Sequence, residues 1–255
     1  MFKYDTSDII ALIGGIIIIV VISILLKKFL GNKGEKVKKI PLQVLAVIIV
    51  LLEIAKQIYY FIKFKQTGVF DKYVLPIHFC SLFIILFPFV QFTKKKYADF
   101  LRPMPMCYAV IMALMLYINP HALLGNACSN IFANFHNFHT YAFHHVVLAY
   151  FAFSIALDDY TPHKNDWIKC LIGAGIYALY AVPLAYLLNT NYVNILSSAF
   201  GPLESIRLSM VNDIGYVLAQ IIYDLIMAVV ASLTLFLISK CYYLIYKKVK
   251  NKVSK

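Results

Sequence analysis

Apolar residues follow one another along this chain in long runs, not at alternate positions and not at the spacing of an amphipathic helix. Runs of about 18 or more apolar residues predict membrane-spanning helices, because lipid leaves every backbone polar group to be satisfied within the helix. Seven segments fit, at about residues 9–26, 41–62, 74–92, 104–118, 138–157, 167–188 and 214–240. The pattern predicts an all-α polytopic membrane bundle of seven transmembrane helices, a single transmembrane domain over residues 1–255 with a basic tail at 241–255.

The lysines and arginines give the expected orientation of this bundle. The loops at 27–39, 93–103 and 158–169 and the tail from 240 hold 18 of the 24 basic residues, whereas the N-terminus and the other three loops hold 5. Because cytoplasmic loops carry the excess of positive charge, we expect the N-terminus outside and the C-terminus in the cytoplasm. The cytoplasmic lysines would then face anionic lipid headgroups.

The composition agrees with a membrane protein. The chain is 62% hydrophobic and 14% charged, with a mean hydropathy of +0.76, whereas a soluble domain is about half apolar and about a quarter charged. The net charge of +12 lies in short loops and a tail, so we expect no nucleic-acid partner. Of the five cysteines only Cys128 falls in a loop, which argues against a disulfide framework.

A thiol and an imidazole are predicted at the same depth. Cys80 and His144 each lie about six residues inside the outer end of a span, which is about 9 Å at the helical rise. A cysteine nucleophile needs a nearby base, since its ordinary pKa is about 8.5. The alternative is a small buried cysteine and a hydrogen-bonded histidine. His145 points about 100° away from His144, and His78 could orient a headgroup or reach the interface.

Other polar groups within the predicted spans have two interpretations each. Glu53 could orient a catalytic histidine or form a structural pair with Lys56, and Asp224 has the same two interpretations. His136 and His139 have a spacing that could ligate zinc, but no carboxylate lies within that cluster, and interfacial histidines are the alternative. We therefore expect neither a metal nor another cofactor.

The segment at residues 75–82, Leu-Pro-Ile-His-Phe-Cys-Ser-Leu, resembles the L-P-[LI]-H-x-C signature of the YwaF family of bacterial integral membrane proteins. Asn119-Pro120, the stretch at 191–194 and Gly201-Pro202 resemble shorter family segments, so that the matches extend over about residues 50–205. The chain departs from the family's pattern at Leu203, Glu204 and His145.

The resemblance implies a seven-span protein of the bacterial plasma membrane. The family has a human relative described as a phospholipid acyltransferase that uses a cysteine and a histidine. Carried over, this implies Cys80 as acyl acceptor and His144 as base, with a membrane lipid as substrate. Glu53 would orient the histidine, and Asn191 and Asn194 would help close the outer mouth as amide donors to the oxyanion. A solute or ion transporter and a non-catalytic membrane protein are the alternatives.

Overall fold

A computed structural model describes residues 6–118, 120–124, 130–198 and 201–253 of the chain. These residues form α-helices and short 3-10 turns, and no strand occurs among them. The helices are α1 Thr6–Leu30, α2 Glu35–Thr67, α3 Leu82–Phe92, α4 Lys95–Leu101, α5 Pro103–Ile118, α6 Pro120–Leu124, α7 Phe135–Ala156, α8 Asp166–Leu188, α9 Gly201–Ile214 and α10 Tyr216–Val253. The 3-10 turns lie at Lys72–Val74, Phe79–Ser81 and Tyr192–Asn194.

The all-helical membrane architecture is confirmed, whereas the number of spans is only partly supported. Within the described part of the chain, five segments are long and apolar enough to cross a membrane, namely Ile9–Leu30, Lys72–Phe92, Lys95–Ile118, Asp166–Leu188 and Tyr216–Asn251. The spans predicted at 41–62 and 138–157 form helices but are not among the five. The first carries Glu53 and Lys56, and the second carries histidines that reduce its apolar character. Seven spans and their orientation stay predictions.

Several predicted boundaries differ from the structure, and three of the differences change the picture of the second unit. The span predicted at 74–92 is not one helix, because its first residues are extended or in short turns before α3 begins. The loop predicted at 189–213 contains the helix α9. The basic tail predicted from 241 is helical and continues α10 to Val253, since lysine is a good helix former and no breaker interrupts it.

The chain forms two compact units. The first unit comprises Met1–Phe70 and Phe83–Thr161. In it α7 packs against α1, α2 and α5. One part of its core is a cluster of buried leucines, Leu12, Leu116, Leu124 and Leu148.

In the first unit, α1 packs against α7 through Gly15. The Tyr141 hydroxyl donates a hydrogen bond of 2.6 Å to the Ala11 carbonyl oxygen. The rings of Tyr141 and His145 stack with their centroids 3.9 Å apart, and His145 Nδ1 lies 2.8 Å from the Tyr141 carbonyl oxygen. A Cβ atom at Gly15 would lie 2.3 Å from His145 Nε2. His145 is therefore a packing residue of the α1 contact, and only glycine fits opposite it.

The second unit comprises Asp71–Leu82 and Pro162–Lys255. In it α10 packs against α8 and α9. Lys240 Nζ donates a hydrogen bond of 3.0 Å to the Lys164 carbonyl oxygen, and the rings of Trp167 and Phe236 meet edge to face at 5.3 Å. These contacts attach α10 to the start of α8 at Phe236 and Lys240, just before the basic tail that begins at residue 241.

We expect Gly15→Ala to destabilise the protein. The added methyl group would collide with the His145 ring, and overpacking of a well-filled contact typically costs about 1–3 kcal/mol. Gly14→Ala is the matched control, because a Cβ atom at Gly14 would meet no atom within 4 Å. Thermal unfolding in detergent checks this, and equal Tm values for the two variants would contradict it.

Candidate functional site

Cys80 lies where an irregular backbone segment turns into a helix. Pro76 cannot donate a backbone hydrogen bond, and the Ile77 N–H donates instead to the Leu75 carbonyl oxygen at 2.8 Å. His78 is extended, with φ −65° and ψ 153°, and precedes the 3-10 turn that leads directly into α3. Cys80 is half-buried and is the second residue of that turn. The thiol thus lies in the first turn of a helix.

Side-chain donors satisfy the carbonyl groups of this irregular segment. The Tyr177 hydroxyl donates to the Ile77 carbonyl oxygen at 2.6 Å, and the Tyr192 hydroxyl donates to that of Lys72. His78 Nε2 lies 2.9 Å from the Tyr73 carbonyl oxygen. Because a carbonyl can only accept, Nε2 of His78 carries the proton. These bonds tie the segment to α8 and to the turn at Tyr192–Asn194.

Aromatic rings surround His78 within the second unit. Its ring centroid lies 4.3 Å from that of Tyr73 and 5.1 Å from that of Tyr192, both in edge-to-face contact. Phe79, the residue before Cys80, meets the Tyr177 ring edge to face at 5.9 Å. Aromatic rings therefore pack around the two residues that precede the thiol.

The two asparagines predicted to close the outer mouth organise the loop that follows α8. Asn191 Nδ2 donates to both the carbonyl oxygen and the hydroxyl of Ser197, at 3.0 and 2.9 Å, and its Oδ1 accepts from the Leu196 N–H. Asn194 has a φ of 59°, in the left-handed region, and its carbonyl oxygen accepts from the Tyr223 hydroxyl at 2.6 Å. Donation by Asn191 to an oxyanion would require its present hydrogen bonds to open.

A buried arginine holds α9 in the second unit. Arg207 is only 7% exposed, and its guanidinium binds the Glu204 carboxylate through two nitrogens, at 3.0 and 2.5 Å. Glu204 also accepts from the Ser198 N–H, and Gln220 accepts from Arg207 at 3.4 Å. The hydrogen bond from Arg207 lowers the pKa of Glu204, and Glu204 raises the pKa of Arg207. The sequence contained this signal, because the two residues have the i, i+3 spacing of a helical ion pair.

Asp224 has side-chain partners within the second unit. Its carboxylate accepts from the Tyr186 hydroxyl at 2.7 Å and from Gln220 Nε2 at 3.1 Å. Gln220 Nε2 also donates to the Ile195 carbonyl oxygen at 2.7 Å. Asp224 therefore supports the loop after α8, as its structural interpretation proposes.

In the first unit, a backbone carbonyl orients His144. The residue is buried, and its Nδ1 lies 2.7 Å from the Thr140 carbonyl oxygen one turn earlier. Because that oxygen can only accept, Nδ1 carries the proton and the lone pair is on Nε2. A neutral imidazole in this tautomer is suited to act as a base through Nε2.

Glu53 forms the structural pair that the sequence allowed. Its carboxylate contacts Lys56 Nζ at 2.8 Å and accepts from Gln57 Nε2 at 2.6 Å, one helical turn away on α2. The group is buried, so this pairing compensates its charge. A role for Glu53 in orienting a histidine stays a prediction.

The histidines at the start of α7 face different surroundings. His136 is exposed, and its Nδ1 shares a hydrogen bond of 2.7 Å with the Tyr60 hydroxyl. His139 is 5% exposed, and its Nε2 has no hydrogen-bond partner among the residues that the structure describes. Within the described part of the chain, no three His, Cys, Asp or Glu side chains are placed to hold a metal ion.

The cysteine and histidine predicted to react together belong to different units. Cys80 lies in the second unit and His144 in the first. Their pairing stays a prediction. Cys107 and Cys170 are buried and Cys241 is exposed. Cys128 and Asn119 lie outside the described residues.

We expect acid to weaken the attachment of α9. The lowered pKa of Glu204 stabilises the fold above the ordinary pKa of glutamate, and this contribution is lost as the pH falls through the lower pKa of the folded state. Acidification should therefore reduce the Tm of the wild-type protein more steeply than that of Glu204→Gln. Asp213→Asn, an exposed change on the same helix, should keep the wild-type slope. Parallel slopes for the wild type and Glu204→Gln would count against the ion pair.

Comparison with known proteins corrects one sequence prediction. The chain matches the TMEM164 family over residues 2–238, and no curated protein and no solved structure matches it. The resemblance to the YwaF family is therefore wrong. It rested on the segment at 75–82 and a few shorter stretches, whereas the TMEM164 match covers nearly the whole chain.

The correction also removes the basis for the predicted location. TMEM164 is a family of eukaryotic transmembrane proteins, so a bacterial plasma membrane is no longer implied. The family and the apolar helices together support a multi-pass membrane protein. This chain belongs to the TMEM164 family.

Proposed function

We propose that this protein is a membrane-embedded enzyme that transfers or hydrolyses the acyl chain of a lipid, with Cys80 as the acyl acceptor. The observation that supports it is the placement of Cys80 in the first turn of a helix, at the end of a segment whose carbonyl oxygens accept hydrogen bonds from Tyr177, Tyr192 and His78. The positive end of the helix dipole favours the thiolate, which is the nucleophilic form.

The reaction requires one nucleophile and one proton carrier. The Cys80 thiolate attacks the ester carbonyl carbon, a carbon–sulfur bond forms, and the lipid alcohol leaves with a proton from the protonated His144. His144 then removes a proton from water or from the hydroxyl of a lyso-lipid, and that oxygen attacks the thioester. Thiol and imidazole return to their starting states, so no further reactant is needed.

The tautomer of His144 supports its proposed role. The proton on Nδ1 is held by the Thr140 carbonyl, so Nε2 is the atom that accepts and returns the proton. His145 is a poorer candidate, because its ring fills the contact between Gly15 and Tyr141. The backbone carbonyl at Thr140 does for His144 what a carboxylate does in many catalytic triads.

The contacts of the intramembrane acids favour the enzyme over a transporter. A solute path would need carboxylates that can bind and release an ion. Glu53 is bonded to Lys56 and Gln57, and Asp224 is bonded to Tyr186 and Gln220. Both acids therefore have protein partners that a transported cation would have to displace.

We further propose that α2 and α7 complete seven spans, with the N-terminus outside the cytoplasm. The charged pair on α2 neutralises itself within one helical turn, and two of the α7 histidines are bonded to carbonyls of their own helix. Such pairing within one helix reduces the free-energy cost of placing polar side chains in the lipid. The cytoplasmic lysines would face anionic lipid headgroups, as the charge distribution suggests.

We expect Cys80→Ser to abolish acyl turnover. We expect His144→Ala to reduce turnover by at least about 100-fold, which is the lower end of the rate enhancement that a general base usually contributes. The assay uses the full chain in vesicles with a phospholipid donor carrying a labelled acyl chain and a lyso-lipid acceptor. Label that stays on the wild-type protein and is released by hydroxylamine would identify the thioester.

Matched controls separate chemistry from folding in this assay. Cys241→Ser and His136→Asn alter exposed residues of the same types and should retain wild-type turnover, and thermal unfolding verifies that each variant is folded. Unchanged turnover in folded Cys80→Ser, or labelling that persists in Cys80→Ala, would refute the proposal.

The seven-span arrangement can be tested with single reporter cysteines and an impermeant maleimide. Val69 and Phe132 are 71% and 86% exposed, and Lys33 and Lys164 are exposed on the intervening segments. Seven spans place Val69 and Phe132 on the side opposite Lys33 and Lys164. If α2 and α7 do not cross, Val69 will label from the same side as Lys33, and Phe132 from the same side as Lys164.

A further inference from the structure

We propose that Tyr177 is a positioning residue that sets where the helix carrying Cys80 begins. The inference rests on the proposed function only in that the proposed function makes Cys80 the nucleophile. The structural argument for it uses contacts within the second unit. The Tyr177 hydroxyl donates to the Ile77 carbonyl oxygen at 2.6 Å, and this carbonyl belongs to the residue three positions before Cys80.

The Ile77 carbonyl has a particular place in the hydrogen-bond pattern. If α3 extended backward as a regular α-helix, this oxygen would accept from the Ser81 N–H, four residues later. The Ser81 N–H instead donates to the His78 carbonyl oxygen at 2.8 Å, which is the tighter 3-10 pattern. The hydroxyl of Tyr177 therefore supplies to this oxygen the donor that the Ser81 N–H would supply in a longer helix.

The position of the helix start determines the surroundings of the thiol. With the turn beginning at Phe79, Cys80 is the second residue of the helix, where backbone N–H groups lack partners within the helix. The positive end of the dipole acts on the first turn and fades beyond it. A helix that began one turn earlier would place Cys80 in its interior, where this support for the thiolate is lost.

Packing holds the Tyr177 ring in place for this contact. Tyr177 is 5% exposed, and its ring meets that of Phe79 edge to face at 5.9 Å. Its hydroxyl thus reaches Ile77, and its ring contacts the residue immediately before the thiol. A phenylalanine at 177 would keep the ring contact and remove only the hydrogen bond.

Two other tyrosines of the second unit provide matched controls. Tyr192 also donates its hydroxyl to a carbonyl of the same segment, but at Lys72, before the Pro76 turn. Tyr180 lies one turn after Tyr177 on α8 and contacts its ring at 5.2 Å, and its hydroxyl makes no hydrogen bond among the described residues. Tyr192→Phe therefore loses an equivalent bond, and Tyr180→Phe loses a hydroxyl alone.

The experiment measures how fast Cys80 is alkylated by iodoacetamide across pH, quantified on its own peptide by mass spectrometry, in the full chain in lipid nanodiscs. Alkylation requires the thiolate. Tyr177→Phe should slow it by about tenfold at neutral pH, because a smaller fraction of the thiol would be ionised, and the difference from the wild type should shrink as the pH rises. Tyr192→Phe and Tyr180→Phe should stay within about twofold of the wild type.

A merely structural role would show itself in stability without a change in reactivity. We expect Tyr177→Phe and Tyr192→Phe to lower the Tm alike, so that the difference in alkylation isolates the positioning effect. Tyr177→His keeps a ring N–H donor and should recover part of the lost rate. If Tyr177→Phe does not fold, Tyr177→His is compared with Tyr192→His.

Alkylation in Tyr177→Phe that equals or exceeds that in Tyr192→Phe would overturn the inference. Lipid turnover is measured in parallel on the same samples. If the wild-type protein shows no turnover but the predicted difference in alkylation is found, the proposed function is refuted and the role of Tyr177 is supported. If turnover is lost in Cys80→Ser but unchanged in Tyr177→Phe, the proposed function is supported and the role of Tyr177 is refuted.

Discussion

A backbone carbonyl within a membrane needs a donor from the protein, because lipid supplies none. In this protein that constraint bears most heavily on the segment before α3, where the chain is not helical although it belongs to a stretch of span length. Tyrosine hydroxyls meet it at Ile77 and Lys72, and another at Asn194 in the loop after α8. The aromatic residues of the second unit thus act as backbone donors as well as packing groups.

The same constraint governs the buried polar side chains, which find partners close by in sequence. Glu53 is paired within one turn of α2, and His144 and His145 each donate to the carbonyl one turn earlier on α7. Local pairing lets a helix carry polar groups without depending on a distant partner. Gln91 differs, because it donates to the distant Tyr150 hydroxyl, and the buried His139 Nε2 and Ser154 Oγ have no hydrogen-bond partner among the described residues.

Much of the architecture could be predicted from the sequence, because long apolar runs leave helix as the only structure that satisfies the backbone in lipid. The helix α9 was missed because Arg207 and Glu204 appear as loop charges until they are seen to pair. The break before α3 was missed because its residues are as apolar as a span, and the hydrogen bonds from Tyr177 and Tyr192 that support it come from residues far away in sequence. The family was misjudged because a short block was weighed more heavily than the whole chain.

The two kinds of support in the second unit respond to different solvent conditions. The bonds from Tyr177 and Tyr192 join neutral groups, so salt does not screen them and ordinary acid does not break them. The bond between Arg207 and Glu204 joins opposite charges, so acid acts on it, whereas salt screens such a largely buried pair only weakly. Acidification can therefore loosen α9 while the backbone before Cys80 keeps its shape, which makes the two parts of this unit separable by pH alone.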